Sequence, residues 1–295
     1  MINLNLTAYK NGEYKALGEI GPSILDFGFI HCDATYDVMP IYNGKAFCYE
    51  RHLERFKNSA ERYGLQIPDV DCLEIIKTLY KGMQYSTISN SMQGKYNKID
   101  NAFVWFIVWR GYPESGNPRD IDNCPINFAM YIKPSYPIAD SPIVSVFLDT
   151  NTKRVNDDYY GQEFKNMAWL DLTMSQRNKP DGYDTTVLVD IDGNVTEGPG
   201  FNIGIVKNDC IHTADKNVLK GITMSVVEDI AAKLSIPFER RPITQMAYAT
   251  ADEVFIASSS GGITATKKSG LITELLIKEY ELKKEEYATN LGPNG

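Results

Sequence analysis

The sequence predicts an α+β protein built as two domains, and three observations lead to this prediction. Apolar runs with the period of a strand alternate with stretches in which apolar residues recur every three or four positions, as on one face of a helix. A segment with three prolines in the nine positions 134–142 separates two halves that both contain these patterns. The chain of 295 residues is long enough for two cores of ordinary size. We therefore expect a first domain over residues 1–133, a linker over 134–142 and a second domain over 143–295.

The elements of the first half follow from these periods. Apolar, β-rich runs predict strands, Asn43-Gly44 is typical of a hairpin turn, and two stretches with helical spacing lie between the strands. The predicted strands are 24–30, 35–41, 46–49, 103–109 and 127–132, and the predicted helices are 52–65 and 71–83.

The second half is interpreted in the same way. Asp192-Gly193 predicts a second hairpin turn, and Ser225 followed by Glu228 resembles a capping box at the start of a helix. The predicted strands are 143–148, 186–191, 201–207 and 253–257, and the predicted helices are 165–177, one that starts near Ser225, and 271–287.

Composition excludes several classes of protein. With 43% hydrophobic and 23% charged residues the chain is globular, and a net charge of −8 argues against binding to nucleic acid or to an anionic membrane. No apolar run is long enough to span a bilayer, and the first residues do not resemble a signal peptide. The five cysteines and three histidines are scattered without the spacing of a zinc site, so we expect no metal, free thiols and a cytoplasmic location.

Two segments could bind a phosphate group. Gly221-Ile222-Thr223 precedes a predicted helix, where free backbone N–H groups favour an anion, and the serine–glycine loop 258–262 follows a strand. No P-loop and no G-x-S-x-G nucleophile motif occurs in the chain. Either segment, taken alone, is typical of an ordinary turn.

Two charged residues have unusual surroundings. Glu197 precedes a stiff, glycine-flanked turn, a place where a fixed charge could tune a cofactor. Lys165 lies between Phe164 and the largely apolar segment 166–170, which would lower the pKa of its amine and make it nucleophilic. Each could equally be a surface residue when considered alone.

Seven motifs, taken together in chain order, resemble the class IV aminotransferases, the pyridoxal-phosphate enzymes of fold type IV. The motifs are D-x-G-F-x-H-x-D-x-T-Y-D-V at 26–38, H-L-x-R at 52–55, R-G at 110–111, K-N-x-x-W at 165–169, D-G-x-V-T-E-G-P-G-F-N at 192–202, L-x-G-I-T at 219–223, and A-D-E-V-F with the loop that follows it at 251–262. This resemblance implies a small N-terminal α/β domain and a larger, β-barrel-like C-terminal domain with flanking helices. It also implies a homodimer with the active site near the subunit interface.

The resemblance assigns a role to each matching position. Lys165 corresponds to the catalytic lysine that binds pyridoxal 5'-phosphate covalently, and Glu197 to the carboxylate that pairs with the pyridine nitrogen. Leu219 corresponds to the residue packed on the ring of the coenzyme. The phosphate group would be bound by Arg55, Ile222, Thr223 and Ser259, and the substrate by His31, Tyr36 and Arg110.

The predicted function is transfer of an amino group between an amine or amino acid and a 2-oxo acid. The first, fourth and fifth motifs are most similar to (R)-selective amine transaminases, which favours an (R)-amine:pyruvate-like reaction. The alternatives are a branched-chain or D-amino acid aminotransferase, and also aminodeoxychorismate lyase, which would release pyruvate without a 2-oxo acid acceptor. Met224 stands where the family often has arginine, and the segment 263–268 replaces a longer loop, so substrate preference is the property most affected by these differences.

Overall fold

The computed structural model of the chain describes residues 3–91, 100–135 and 143–292, so most of the predicted linker lies outside the described residues. The helices are α1 (Phe27–Ile30), α2 (Tyr49–Arg62), α3 (Cys72–Ser91), α4 (Asp157–Tyr160), α5 (Leu170–Asn178), α6 (Ile222–Lys233), α7 (Gln245–Ala249) and α8 (Leu271–Glu286). The strands of the first half are β1 (Thr7–Lys10), β2 (Glu13–Ala16), β3 (Ala34–Tyr42), β4 (Lys45–Phe47), β5 (Ala102–Arg110) and β6 (Ile126–Pro134). The later strands are β7 (Val146–Lys153), β8 (Thr185–Val189), β9 (Asn194–Val195), β10 (Glu197–Gly198), β11 (Phe201–Lys207), β12 (Cys210–Thr213), β13 (Phe238–Arg240), β14 (Ile243–Thr244), β15 (Glu253–Ser258), β16 (Gly262–Ala265) and β17 (Ala288–Asn290).

The described residues form two compact units, each with helices and sheets, so the predicted two-domain α+β class is confirmed. The first unit contains residues 3–135, except the gap, together with Lys165–Met167 and the C-terminal residues from Tyr287. The sequence places both of these later segments in the second domain and predicts a small first domain. With them, the first unit is about as large as the second.

The first unit is built on a seven-stranded antiparallel sheet in the order β17-β4-β3-β5-β6-β1-β2. The hairpin predicted at Asn43-Gly44 connects β3 to β4, and both turn residues have the positive φ that a tight hairpin needs. Helices α2 and α3 contribute apolar faces to the core of this unit, where Phe56 and Ile76 are fully buried. The apolar residues that recur every three or four positions in these segments predict the buried faces of both helices.

One predicted strand of this unit, 24–30, is wrong. Its second half forms a single helical turn, α1, which starts after Asp26. The Asp26 carboxylate accepts hydrogen bonds from Trp109 Nε1 at 2.9 Å and from the Ser23 N–H at 3.1 Å. Gly28 lies so close to Trp109 that a Cβ there would come within 2.5 Å of the tryptophan Cβ. These contacts with a residue distant in sequence override the β-rich composition of the segment.

The second unit contains a six-stranded sheet, with β13-β12-β11-β15-β16 in order and β10 paired to β11, and a four-stranded sheet in the order β14-β9-β8-β7. Apolar side chains of both sheets form one core, among them Val187 and Val189 of the smaller sheet and Ile203 and Ile205 of the larger. The turn predicted at Asp192-Gly193 lies between β8 and β9, which pair in antiparallel orientation.

Two helices of the second unit start at positions that differ from the prediction. The helix predicted from Lys165 starts at Leu170, and the helix predicted near Ser225 starts at Ile222. The capping-box prediction is wrong because Ser225 lies inside the first turn, where its hydroxyl donates to the Ile222 carbonyl at 2.8 Å. Gly221 is the N-cap residue instead, and its carbonyl accepts from the Ser225 N–H at 3.0 Å.

Candidate active site

Lys165 belongs to the first unit and lies in a segment with no helical or strand hydrogen bonding. Its N–H donates to Ser59 Oγ at 3.1 Å, and its carbonyl accepts from Thr35 Oγ1 at 2.5 Å. Its Nζ lies 4.4 Å from the centre of the Tyr36 ring, and that ring is stacked on Trp105 at 5.4 Å. The predicted site residues Lys165 and Tyr36 are therefore adjacent, and the amine faces an aromatic surface.

A buried cluster of Asp37, His52 and Arg55 lies beside this segment of the first unit. Arg55 donates to both oxygens of Asp37, from Nε at 2.7 Å and from Nη2 at 2.8 Å. His52 contacts Asp37 Oδ1 through Nδ1 at 2.7 Å. The two-pronged contact fixes the plane of the Arg55 guanidinium, which is what a rigid cationic site for a phosphate group requires.

The charges in this cluster follow from burial and pairing. Burial alone would raise the pKa of Asp37, but the charge of Arg55 and the contact with His52 outweigh it and hold that pKa well below its usual range. Burial lowers the pKa of His52 from its ordinary 6.5 in spite of the neighbouring Asp37. His52 is therefore a neutral donor near pH 7, and Arg55 is the charged partner of Asp37.

The other two residues predicted to bind substrate lie in different surroundings. His31 is exposed, with its ring 4.5 Å from that of Phe27. Arg110 is paired with Asp33, through Nε at 2.7 Å, and its Nη2 donates to the carbonyls of Tyr63 and Gly64. A two-pronged contact between Arg110 and a substrate carboxylate would require the bond to Asp33 to break. The role of Arg110 stays a prediction that these contacts do not favour.

In the second unit Glu197 is buried and paired with Arg154. Arg154 donates to Glu197 Oε1 from Nε at 3.0 Å and from Nη2 at 2.9 Å, and its Nη1 donates to Asp171 Oδ2 at 2.6 Å. All three side chains are less than a tenth exposed. Burial would lower the pKa of Arg154, but the charges of Glu197 and Asp171 outweigh it and raise that pKa.

The second oxygen of Glu197 connects it to the segment before α6. Glu197 Oε2 accepts from the Leu219 N–H at 3.0 Å and from Asn202 Nδ2 at 3.3 Å, and the same amide donates to the Leu219 carbonyl at 2.9 Å. Gly221 has no room for a side chain, because a Cβ there would lie 1.9 Å from Asn202 Oδ1. Glu197, Leu219 and the start of α6 are thus held together by one amide side chain.

The remaining predicted phosphate-binding residues lie at two places in the second unit. Ile222 and Thr223 are buried in the first turn of α6, and the N-cap residue Gly221 provides no side chain to bind the free N–H groups there. Ser259 is half-buried in the turn between β15 and β16. In this turn Ser258 Oγ accepts from the Gly261 N–H at 3.0 Å. The free N–H groups at the start of α6 can bind an anion.

Sequence reasoning missed several residues of these clusters. Asp37 and His52 lie inside the motifs that carried the resemblance, and only the hydrogen bonds of the folded chain show that Asp37 holds both Arg55 and His52. Asn202 ends the glutamate motif. Arg154 carries no signal in its own segment, since its partners follow 17 and 43 positions later in the chain.

The fold also brings together three potential metal ligands where the sequence predicts none. Cys210, His212 and Glu239 each have a ligand atom within 4.8 Å of the others. His212 Nδ1 lies 3.3 Å from Glu239 Oε2, and Arg241 lies 3.6 Å from the same oxygen. Glu239 already has two partners in this arrangement, the His212 imidazole on the neighbouring strand and the Arg241 guanidinium, and the positive charge of Arg241 opposes the binding of a metal ion.

None of the helices within the described ranges is long and apolar enough to cross a membrane.

Comparison with known proteins identifies the family. A sequence model of the amino-transferase class IV family matches residues 34–268. A putative branched-chain-amino-acid aminotransferase of Methanocaldococcus jannaschii is 26% identical over 288 residues, which cover 92% of this chain and 94% of that protein. A D-alanine aminotransferase of Staphylococcus aureus is 27% identical over 264 residues, 88% of each chain.

Solved structures show the same fold. A branched-chain amino acid aminotransferase of T.th. with pyridoxamine 5'-phosphate superimposes with a TM-score of 0.85 at 19% identity, over 99% of this chain and all of that one. The branched-chain aminotransferase of Thermoproteus uzoniensis with norvaline gives a TM-score of 0.80 at 21% identity, over 97% and 99% of the two chains. Because the family model matches well over half of the sequence, this chain belongs to the class IV aminotransferases.

Proposed function

We propose that this enzyme transfers the amino group of a branched-chain amino acid to a 2-oxo acid with pyridoxal 5'-phosphate as its coenzyme. The observation that carries the proposal is Lys165, whose backbone is fixed by two side chains and whose amine lies over the Tyr36 ring. The branched-chain assignment is supported by the names of a relative and of the structural neighbours.

The residues present have the chemistry that the coenzyme needs. Arg55 is a rigid cation, and the start of α6 has free N–H groups, so both suit a phosphate dianion. Glu197 is a buried carboxylate, fixed by Arg154 and suited to pair with a pyridine N–H. Lys165 supplies a primary amine. We propose that these residues, with Leu219 on the ring and Thr223 and Ser259 at the phosphate group, hold one coenzyme.

Each residue would have a distinct part in the reaction. When bound, pyridoxal phosphate supplies an electron-withdrawing ring that stabilises negative charge on the reacting carbon of the substrate. Lys165 Nζ would act as the general base that takes the proton from that carbon, and then as the general acid that gives the proton to the coenzyme. Both roles require Nζ to lie within reach of the two atoms. Glu197 would accept a hydrogen bond at Oε1 or Oε2 and hold a proton on the pyridine nitrogen. Tyr36 would limit the positions that the Lys165 amine can reach.

The identity of the amino donor is tested with a panel of donors. L-leucine, D-alanine and both enantiomers of 1-phenylethylamine are each supplied with 2-oxoglutarate and with pyruvate, and the amino acid product is measured. We expect L-leucine with 2-oxoglutarate to be fastest. A faster reaction of D-alanine would favour the D-amino acid class, which the Staphylococcus aureus relative supports. A faster reaction of (R)-1-phenylethylamine would favour the (R)-amine class, which three sequence motifs resemble.

The covalent role of Lys165 is tested by reduction with borohydride. We expect pyridoxal phosphate to be trapped on Lys165 in the wild-type enzyme, as located by peptide mass spectrometry. Lys165→Ala and the charge-conserving control Lys165→Arg should both lose the adduct and at least about 10³-fold in turnover, because a guanidinium cannot replace the amine as a nucleophile or proton carrier. An adduct on another side chain, or wild-type turnover in either variant, would refute the assignment.

We also propose a cytoplasmic homodimer. All five cysteines are free thiols, which suits a reducing compartment. In the first unit Ile24, Leu25, Phe29 and Ile30 are each about half exposed or more, an apolar patch of the kind that a second subunit covers. Light scattering of the purified protein should give the mass of two chains, and Phe29→Ser should shift that mass towards one chain. A wild-type protein that is monomeric at working concentration would refute the dimer.

A further inference from the structure

The segment Lys165–Met167 is an inserted piece of the first unit, because the residues on both sides of it in sequence belong to the second unit. A three-residue segment of this kind has no secondary structure of its own to fix it. The backbone N–H and carbonyl of Lys165 must therefore find partners elsewhere, since unpaired buried backbone groups are costly. Both partners are hydroxyl side chains of the first unit, Ser59 and Thr35.

Ser59 is oriented by the helix that carries Arg55. It lies one turn after Arg55 on α2, is fully buried, and its hydroxyl donates to the Arg55 carbonyl at 2.8 Å. With its own hydrogen engaged in that bond, Ser59 Oγ presents a lone pair that accepts the Lys165 N–H at 3.1 Å. The position of the Lys165 nitrogen is therefore tied to the residue that we propose binds the phosphate group.

Thr35 is oriented by the strand that carries Tyr36. It is fully buried on β3, and its hydroxyl donates to the Lys165 carbonyl at 2.5 Å. Tyr36, the next residue of the same strand, provides the ring that lies under Lys165 Nζ. The third residue of the segment is anchored as well, because Met167 packs against the apolar cluster that contains Ala34 and Trp109.

We propose that Thr35 and Ser59 are positioning residues for catalysis: together they fix the backbone N–H and the backbone carbonyl of Lys165, so that the amine starts each cycle from one place relative to Arg55 and Tyr36. This inference rests on the proposed role of Lys165. Proton transfer demands close geometry, and a misplacement of about 1 Å can lower a rate by about 10²-fold. Ground-state binding of substrate is less sensitive, so the effect should fall on kcat rather than on KM.

The test compares two substitutions at one position. Thr35→Val keeps the shape of the side chain and removes the hydroxyl, whereas Thr35→Ser keeps the hydroxyl. In the holoenzyme we expect Thr35→Val to lower kcat by about 10- to 100-fold with KM changed by less than about threefold, and Thr35→Ser to recover most of the rate. The matched control is Thr213→Val, which removes the same kind of buried bond, from a threonine hydroxyl to the Ile203 carbonyl, away from these residues. It should leave kcat unchanged.

A second measurement does not depend on turnover. Apoenzyme is mixed with pyridoxal phosphate, and the rate at which borohydride traps the coenzyme on Lys165 is followed by mass spectrometry. Thr35→Val should attach the coenzyme more slowly, by a factor similar to its loss in kcat, while Thr213→Val should match the wild type. Ser59→Ala, which removes the acceptor for the Lys165 N–H, should behave like Thr35→Val and decides the matter if Thr35→Val does not fold.

The outcomes separate this inference from the proposed function. If wild-type enzyme attaches no coenzyme to Lys165, the proposed function fails. If the wild type attaches it, and Thr35→Val and Ser59→Ala keep wild-type kcat and attachment rates, the positioning role alone is refuted. A loss that appears only in KM or only in thermal stability would also refute the positioning role, because a merely structural bond would produce that pattern.

Discussion

Two arginines of the proposed site are each paired with a buried carboxylate. Arg154 pairs with Glu197 and Asp171, and Asp37 pairs with Arg55. The motifs made it possible to predict Lys165, Glu197 and Arg55 as candidates, because each lies in a segment that resembles a motif of the class IV aminotransferases. Arg154 could not be predicted in this way, since its importance comes only from partners that the fold brings to it.

The Arg154 cluster makes a prediction about stability. Arg154→Met removes the cation from two buried carboxylates, and we expect a loss of about 3–5 kcal/mol in the free energy of unfolding. The matched control is Arg240→Met, because Arg240 pairs with Glu228 at the exposed surface and should contribute less than about 1 kcal/mol. Urea unfolding followed by circular dichroism measures both. Equal losses in the two variants would show that Glu197 and Asp171 do not depend on Arg154.

The Asp37 cluster makes a prediction about pH. Burial lowers the pKa of His52 below its ordinary 6.5, so below that pH the unfolded chain binds a proton that the folded protein does not. Stability should therefore fall as the pH is lowered from about 7.5 to about 5. His212, whose pKa is also lowered by burial, adds to the same trend. Asp37, whose pKa is held low, adds a further loss only below its ordinary value of 3.8.

Substitution of His52 tests whether this histidine causes the pH dependence of stability. His52→Asn keeps a donor near Asp37 but cannot titrate, so urea unfolding at several pH values should give a flatter dependence in the range between about pH 5 and pH 6.5. The same slope in the variant and in the wild type would exclude His52 as the source.

At the level of single elements, the interior of a helix was predictable but its start was not. The apolar period identified α2 and α3, because that pattern is local. The start of α5 was misplaced because the Lys165 backbone bonds to Ser59 and Thr35, far away in sequence, rather than to a helical turn. The predicted start of α6 was wrong because the N-cap residue is Gly221 rather than Ser225. Gly221 carries no side chain that could form a cap, so the sequence gives no capping signal there.

Gly221 provides the prediction at this scale. Its φ of −68° would suit alanine, so Gly221→Ala tests the close contact with Asn202 alone. The added Cβ must displace Asn202, which we expect to cost about 1–3 kcal/mol of stability. It should also weaken coenzyme binding, because Asn202 holds both Glu197 and Leu219. Thermal unfolding and titration of apoenzyme with pyridoxal phosphate measure the two effects. Gly21→Ala, which has nothing within 4 Å, should change neither.

For the whole molecule, the sequence predicted two domains and the family. The two domains follow from the proline-rich segment 134–142 between two halves with strand and helix periods, and the family follows from the order of motifs along the chain. The membership of the two units was not predictable in the same way. It depends on pairings between distant segments, such as β17 with β4 and the segment Lys165–Met167 with the first unit. A single sequence carries little signal for such pairings when the segments are only three residues long.

The pairing of β17 with β4 has a consequence for biosynthesis. One of the two edge strands of the seven-stranded sheet consists of Ala288–Asn290, and Leu291 is buried in the core of the same unit. The N-terminal half therefore cannot complete its sheet until the ribosome has translated residues 288–290. Until then β4 is an open edge that can pair with a neighbouring nascent chain. Completion of the first unit thus waits for a segment made long after the rest of its sheet, and a polypeptide cut before residue 288 would expose the edge of β4.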